Sequence, residues 1–413
     1  MLPFGGSVML FARMLEERIK EGELTVIDAN MRIHRFGNPE TGSEITIRLH
    51  DRSLHYKLFL NPRIALGEAY MEGTLTVENA SLFALLNLIG KNFGGAAIGG
   101  LDKLATMLRI FVQRIEQANS LGFVQRNIAH HYDLSDELFD LFLDNDLQYS
   151  CAYFTNADAT LETAQIAKKR HIAAKLLLEP GLKVLDIGSG WGGLAMYLAE
   201  NSEVDVTGVT LSVNQHRRAR QRVASAGLEE QVRFRLCDYR EQKGTYDRIV
   251  SIAMLEQVGA SNFREYFEKI SELLVDDGIA LIHTIVRKDG PDATNPWLRK
   301  YIFPGGYLPA LSEILAATER VGLWVTDIEI LRLHYAETMR HWRERFIANW
   351  DLAANLYDER FCRMWEFYLA GSEVGFRHQG SMVAQLQISK AIDVVPSTRD
   401  YIYDWEQANI IQS

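Results

Sequence analysis

Between residues 182 and 285, short apolar runs alternate with stretches of helical length, and this alternation restricts the fold more than any other feature of the chain. The runs fall at 182–187, 204–210, 232–238, 246–253 and 278–285, and the spacing predicts helices at 192–200, 212–226 and 263–274. Strand and helix taken in turn build right-handed crossovers over a mostly parallel sheet. The expectation is a doubly wound α/β domain.

The first strand runs straight into Val184-Leu-Asp-Ile-Gly-Ser-Gly-Trp-Gly-Gly193. Glycines there let the backbone approach a ligand closely, and the helix that follows offers unpaired N–H groups. Gly188, Gly190 and Gly193 also satisfy the dinucleotide pattern. A dinucleotide site needs an acidic residue closing the second strand, and here that strand ends Thr207-Gly-Val-Thr-Leu-Ser212. Asp186, two residues before the first glycine, fits instead the turn that resembles S-adenosylmethionine (SAM) methyltransferases. The fold expected is thus a class I SAM-methyltransferase (Rossmann-like) domain. The third strand ends Leu236-Cys-Asp-Tyr239, where Asp238 can accept from an adenine amino group and Tyr239 can stack on its ring.

Upstream the pattern differs. A short amphipathic helix at 8–22 precedes alternating apolar and polar runs at 24–28, 31–35, 45–50 and 54–60, broken by Gly37-Asn-Pro39 and Asn61-Pro62, which predicts a small α+β unit with β-rich character. Helical spacing returns at 81–90 and 101–117, separated by a glycine-rich stretch from Asn92 to Gly100 that reads as a linker or loop. Aromatic and basic residues at helical spacing fill 335–376.

Charge divides the chain. The net charge is -10, yet residues 1–120 carry 13 basic and 13 acidic side chains, so the whole surplus lies beyond them. Nucleic-acid binding, which needs a basic surplus, is not expected. Cys151, Cys237 and Cys362 lie far apart without metal-ligand spacing, so no metal is expected. No basic n-region precedes the N-terminal apolar residues and no uncharged run reaches the ~20 residues of a spanning helix. The expected location is cytoplasmic, with any membrane contact made from one side.

Further motifs occur in a fixed order: Asn127-Ile-Ala-His-His-Tyr-Asp-Leu-Ser135, Tyr149-Ser-Cys-Ala-Tyr-Phe154, Met254-Leu-Glu-Gln-Val-Gly259, Leu281-Ile-His-Thr-Ile285 and Tyr301-Ile-Phe-Pro-Gly-Gly-Tyr-Leu-Pro309. As a set they resemble the cyclopropane-fatty-acid synthase family, including the mycolic acid cyclopropane synthases, over roughly residues 120–390. The first hundred residues resemble the extra N-terminal domain of phospholipid-acting members. The division implied is 1–100 for a small lipid- or membrane-associated domain, 101–120 for a linker and amphipathic helix, and 121–413 for the catalytic domain.

The resemblance implies an enzyme in which the alkene of an unsaturated phospholipid acyl chain attacks the SAM methyl group and bound bicarbonate removes a proton so that a cyclopropane ring closes. It assigns the bicarbonate pocket to Cys151, Glu256, His283, the backbone at Ile285, and Tyr335. Taken alone, Cys151 reads as a buried small hydrophobe, and Glu256 and His283 as satisfied core residues. Glu256 beside an anion must share a proton with it or act through His283, so a coupled titration is expected. SAM contacts fall to Tyr149, Ser150, Asp186, Gly188, Gly190, Thr210, Gln215, Asp238 and Tyr239, with Tyr132 over the cofactor or at the acyl entrance. Tyr153, Phe154 and Tyr307 are candidates for cation–π stabilisation or for plain core packing. Many relatives carry His where this chain has Gln257. The family also implies a homodimer lying on the inner face of the membrane, with the basic, apolar segment 101–115 as a candidate contact or as a helix packed on its own domain. A methylene- or methyl-branched product, a small-amine N-methyltransferase and a silent lipid-binding protein are the competing readings.

Overall fold

The structure, a computed structural model, describes residues 4–93 and 134–409. Tyr132, the segment 101–115, most of the glycine-rich stretch and most of the Asn127-to-Ser135 motif lie outside the described residues. Two compact units are present. One gathers the described N-terminal residues with Thr294–Phe303 and Met339–Ser381; the other holds the remaining residues. Two segments from the second half of the sequence thus belong to the same unit as the described N-terminal residues, beside the linear division into 1–100, 101–120 and 121–413.

In the N-terminal unit, strands β1 (Gly22–Ile27), β2 (Ile33–Asn38), β3 (Glu44–Leu49) and β4 (Leu75–Val77) form a sheet in the order β2-β1-β3-β4. Alternation decides its buried face: Leu24 and Val26 of β1 and Ile45, Ile47 and Leu49 of β3 point into one apolar cluster. The run 54–60, expected to be extended, is instead the helix Leu54–Leu60. Its Leu54 and Leu58, four residues apart, share the buried face while Tyr56 and Leu60 stay exposed. Over seven residues the two periods give nearly the same pattern, and the i, i+4 pair wins once the core is present. Helix Glu359–His378 adds a second cluster, its Ala370 and Val374 packing with Leu82 and Leu86 of helix Leu82–Phe93.

The other unit bears out the doubly wound expectation. Its strands are β5 (Lys183–Ile187), β6 (Asp205–Thr210), β7 (Val232–Leu236), β8 (Tyr246–Ile252), β9 (Leu274–Arg287), β10 (Trp324–Ile330) and β11 (Ser381–Ser389). Their order is β10-β11-β9-β8-β5-β6-β7, with every pairing from β9 through β7 parallel and β10 antiparallel to β11. Successive residues of one strand serve opposite faces: Val184 joins the cluster containing Leu198 and Val206, while Leu185 and Ile187 join that containing Phe267 and Ile282. Burial on both faces explains why these strands read as continuous apolar runs. The chain leaves β5 toward β6 and later returns to its other side as β8. That reversal opens a crevice at the carboxyl ends of β5 and β8, where sheets of this kind bind ligands.

Strands β10 and β11 and helix Leu161–Leu176 escaped the sequence reading. Thr160 caps that helix by accepting from the Thr163 N–H. It packs Ile172, Ala173 and Leu176 into the core and also buries a polar stripe of Gln165, Lys168, His171 and Lys175. Among the described residues, no helix is long and apolar enough to cross a membrane.

Candidate functional site

A pocket holding about 1280 Å³, its open mouth included, lies at the carboxyl ends of β5 to β8. Tyr149, Ser150, Asp186, Gly188, Gly190, Thr210, Gln215, Asp238 and Tyr239 all line it. Every described residue expected to contact SAM therefore faces one space. Gly188 and Gly190 adopt φ of +82° and +54°, a region that side chains disfavour, and a Cβ on Gly190 would meet nothing within 4 Å. The turn thus leaves room for a ligand against its backbone. Asp186 is buried beside it with no partner for Oδ2, and burial pushes its carboxyl up to about 7 despite the Lys168 charge nearby. A cation placed in the pocket would relieve that cost, so the donor set fits a sulfonium cofactor.

The adenine-end pair is arranged differently from expectation. Asp238 Oδ1 accepts from the Arg240 backbone N–H and Nε, both at 2.9 Å, and Oδ2 accepts from Nη2 at 2.7 Å. Burial works against its charge, but the guanidinium outweighs burial and holds the carboxyl below its ordinary value. A carboxylate has about four lone-pair sites, so one remains at Oδ2 for an incoming amino group. Arg240 also lies 5.5 Å over the Tyr239 ring and lines the pocket, a contribution the sequence reading missed. Thr210 donates to Gln215 Oε1 at 3.1 Å, tying the end of β6 to the following helix.

Of Cys151, Glu256, His283, Ile285 and Tyr335, Glu256 and Ile285 are in direct contact, His283 lies two residues before Ile285 on β9, and Cys151 and Glu256 are next in the chain to the lining residues Ser150 and Gln257. Ala253, at φ +52°, ends β8 and turns the chain into the helix Leu255–Val258 that carries Glu256. Oε1 of Glu256 accepts from the Ile285 N–H at 2.6 Å, and its buried Oε2 has no partner. Burial pushes this carboxyl up to about 7. The Ile285 N–H thus already has an acceptor in Glu256. Nδ1 of His283 lies 3.2 Å from Gln385 Nε2.

Burial, reinforced by the positive charges of Lys168, Lys175 and His171, holds His283 well below the usual imidazole value, so the ring is neutral. Burial likewise pushes the Cys151 thiol far up, which excludes a thiolate at neutral pH. The backbone after Cys151 is fixed by Ala152 N–H donating to Thr338 Oγ1 at 3.0 Å, on the helix His334–Ala348 that bears Tyr335. Tyr153 stacks on both His171 and His334, with ring centroids 4.3 and 4.8 Å away. Tyr307 is core, its hydroxyl donating to Glu313 at 2.7 Å. Both rings are therefore engaged by the protein itself.

The residue most clearly missed is Lys168. It is 1% exposed, and its Nζ donates to Gln148 Oε1 at 2.5 Å and Ser150 Oγ at 2.9 Å, both on residues of the pocket wall. Burial lowers its ammonium to about 8. Its charge bears on Asp186, Cys151 and His283 together, which makes it the electrostatic link between the two groups. Helical spacing alone would have placed Lys168 on a solvated face.

A family model described as mycolic acid cyclopropane synthetase matches residues 122–386. Over 371 residues, 88% of this chain and 93% of the relative, the sequence is 36% identical to cyclopropane-fatty-acyl-phospholipid synthase of Escherichia coli K12. It is 40% identical over 334 residues, 76% of either chain, to tuberculostearic acid methyltransferase UfaA1 of Mycobacterium tuberculosis. Mycolic acid cyclopropane synthase CmaA1, solved in complex with SAH and CTAB, matches with a TM-score of 0.60 and 35% identity, covering 64% of this chain and 97% of that one.

Proposed function

The chain belongs to the mycolic acid cyclopropane synthetase family and is a SAM-dependent methyltransferase, and from that premise we propose that it cyclopropanates the cis double bond of unsaturated acyl chains in membrane phospholipids. When bound, SAM supplies an electrophilic methyl group and bicarbonate a proton acceptor. The alkene carbons form a bond to the methyl carbon as its bond to sulfur breaks; loss of a proton from the transferred carbon then closes the ring. The observation that carries the reading is the buried Glu256 with its Oε2 unpartnered.

A carboxylate facing an anion would be repelled, but a carboxyl poised near 7 is readily protonated. In that form Glu256 keeps the Ile285 N–H on Oε1 and shares its Oε2 proton with the anion, a proton that an amide in its place could not give up. This reconciles the geometry with bicarbonate and assigns Glu256 the task of holding a proton. His283 and Tyr335 supply further donors, and neutral Cys151 closes the wall without adding charge. Asp186 offsets the positive charge of the cofactor, and dry surroundings magnify each of these interactions.

A mid-chain double bond lies far from its head group, and exposing ~10 methylenes to water would cost ~8 kcal/mol. The acyl chain therefore passes from bilayer to site through apolar surroundings, and the enzyme works as a homodimer against the inner membrane face. The charge balance of residues 1–120 supports that reading, since it lets them approach an anionic bilayer without strong repulsion.

Purified protein incubated with SAM and vesicles of mono-unsaturated phospholipid tests the proposal. Acyl chains that gain one CH2 and lose the double bond support it. Unchanged lipid with methyl transfer to an amine would overturn it. One other reading has its own support, because the chain is 40% identical to a tuberculostearic acid methyltransferase. A branched product, recognised on fragmentation by an exocyclic methylene or a methyl branch in place of the ring, would establish that alternative.

A further inference from the structure

We propose that Lys175 and Gln385 act as positioning residues that set the tautomer of His283, leaving its single ring proton on Nε2; this rests on the reading of His283 as a donor in the anion site. An amide side chain has one accepting end and one donating end, and an ammonium can only donate. Lys175 Nζ lies 2.8 Å from Gln385 Oε1. That end of the amide is therefore the carbonyl, and the NH2 end faces His283 Nδ1 at 3.2 Å. An NH2 group needs a lone pair opposite it, so Nδ1 carries no proton. His283 is buried and neutral, and its one proton sits on Nε2.

Burial lowers the Lys175 ammonium, and the acidic groups around it work against that shift and hold the lysine in place. Its backbone carbonyl accepts from Gln387 Nε2 at 2.6 Å, which ties helix Leu161–Leu176 to β11. Its ammonium pairs with Glu329, and Asp327 stands 3.9 Å away. Glu329 in turn accepts from His171 Nε2 at 2.7 Å and lies 3.4 Å from Arg399. Burial favours protonating Glu329, but the His171 hydrogen bond and the Lys175 charge outweigh it and keep the carboxylate ionised. Orientation thus passes from a partly exposed ion cluster to the imidazole through one amide that cannot turn over. With the amide reversed, a carbonyl would face Nδ1, the proton would move there, and a bare lone pair at Nε2 would confront an anion. In a serine-protease triad, the equivalent tautomer error lowers turnover about 10⁴-fold.

Nitrogen-15 NMR of protein labelled at histidine, with the His283 signals identified by their loss in His283→Asn, reads the tautomer directly. The wild type is expected to show a protonated Nε2 and a bare Nδ1. Gln385→Glu, which offers only acceptors, is expected to move the proton to Nδ1 and to lower turnover at least ~100-fold, with SAM affinity within about twofold of wild type. Lys175→Met frees the amide and is expected to give mixed tautomers. A proton on Nδ1 in the wild type, or a Gln385→Glu protein with unchanged tautomer and turnover, would overturn the proposal. Should Gln385→Glu not fold, the wild-type and Lys175→Met spectra decide. The NMR result does not depend on lipid turnover, so absence of cyclopropanation would count against the proposed function while leaving the tautomer assignment open to its own test.

Discussion

The two halves of the site solve opposite problems with different materials. The SAM pocket is assembled from strand ends and tight turns, is open at its mouth, and offers a cation a buried carboxyl without an ion-pair partner, Asp186, whereas its other buried carboxyl, Asp238, is paired with Arg240. The second group joins residues far apart in the chain, Glu256 to Ile285 and His283 to Gln385, and Lys168, bonded to Ser150 of the pocket wall, links it to the first. Under the proposed function the first half binds by shape and local charge, and the second controls where protons sit. A substitution in one half should therefore leave the function of the other largely intact.

Glu256→Gln offers the largest expected separation. Turnover should fall about 10³-fold, within the usual range for a residue handling a proton, while calorimetry finds SAM affinity within about twofold of wild type. Equal losses in both quantities would merge the two halves into one. Asp186→Asn should do the reverse, weakening SAM binding by roughly 10- to 100-fold, as expected when a buried charge partner is lost. Lys168→Met touches both halves. It should lower kcat/KM about tenfold by releasing Ser150 and Gln148, yet raise the melting temperature at neutral pH because a buried cation is removed.

Stability against pH gives the smallest and most specific effect. Asp186 and Glu256 each have carboxyls raised to about 7, so between their ordinary values and pH 7 the folded state binds more protons than the unfolded state. Their contribution is most favourable below pH 4 and is lost as pH rises through 7. Lys168, lowered to about 8, penalises folding below pH 8, and that penalty fades as pH rises toward its ordinary value. The melting temperature of Glu256→Gln should therefore fall less than that of wild type between pH 5 and 8, by roughly 2 °C or more. Parallel melting curves for the two proteins would remove the claim that Glu256 is poised to hold a proton.

The same contrast explains what the sequence disclosed. Residues 184–193 carry strand, turn and helix start within ten positions, so the glycine turn and Asp186 can be read without knowing what packs on them. Asp238 is legible for the same reason, although its bidentate pairing with Arg240 is not. Lys168 and Lys175 lie on a helix whose polar positions repeat at i, i+3 and i+4, the spacing of an ordinary solvated face. The partners that meet that face come from elsewhere: Gln148 and Ser150 for Lys168, and Gln385 of β11, more than two hundred residues later, for Lys175. The resemblance located Cys151, Glu256, His283, Ile285 and Tyr335, but the pairing of Glu256 with the Ile285 N–H and of His283 with Gln385 depends on three-dimensional neighbours. Helix Leu54–Leu60 shows the limit at its simplest, since seven residues fit a strand and a helix alike until the core selects one.

On the proposed function, cofactor binding and proton removal are separate tasks served by separate groups, and bicarbonate depletion pulls the two apart. Methylene transfer to lipid and SAM affinity would be measured side by side in carbon dioxide-free buffer and after bicarbonate is restored. The account predicts that turnover collapses and returns with added bicarbonate in the wild type, fails to return in Glu256→Gln, and that SAM affinity stays constant throughout. Turnover that persists unchanged without bicarbonate would contradict it.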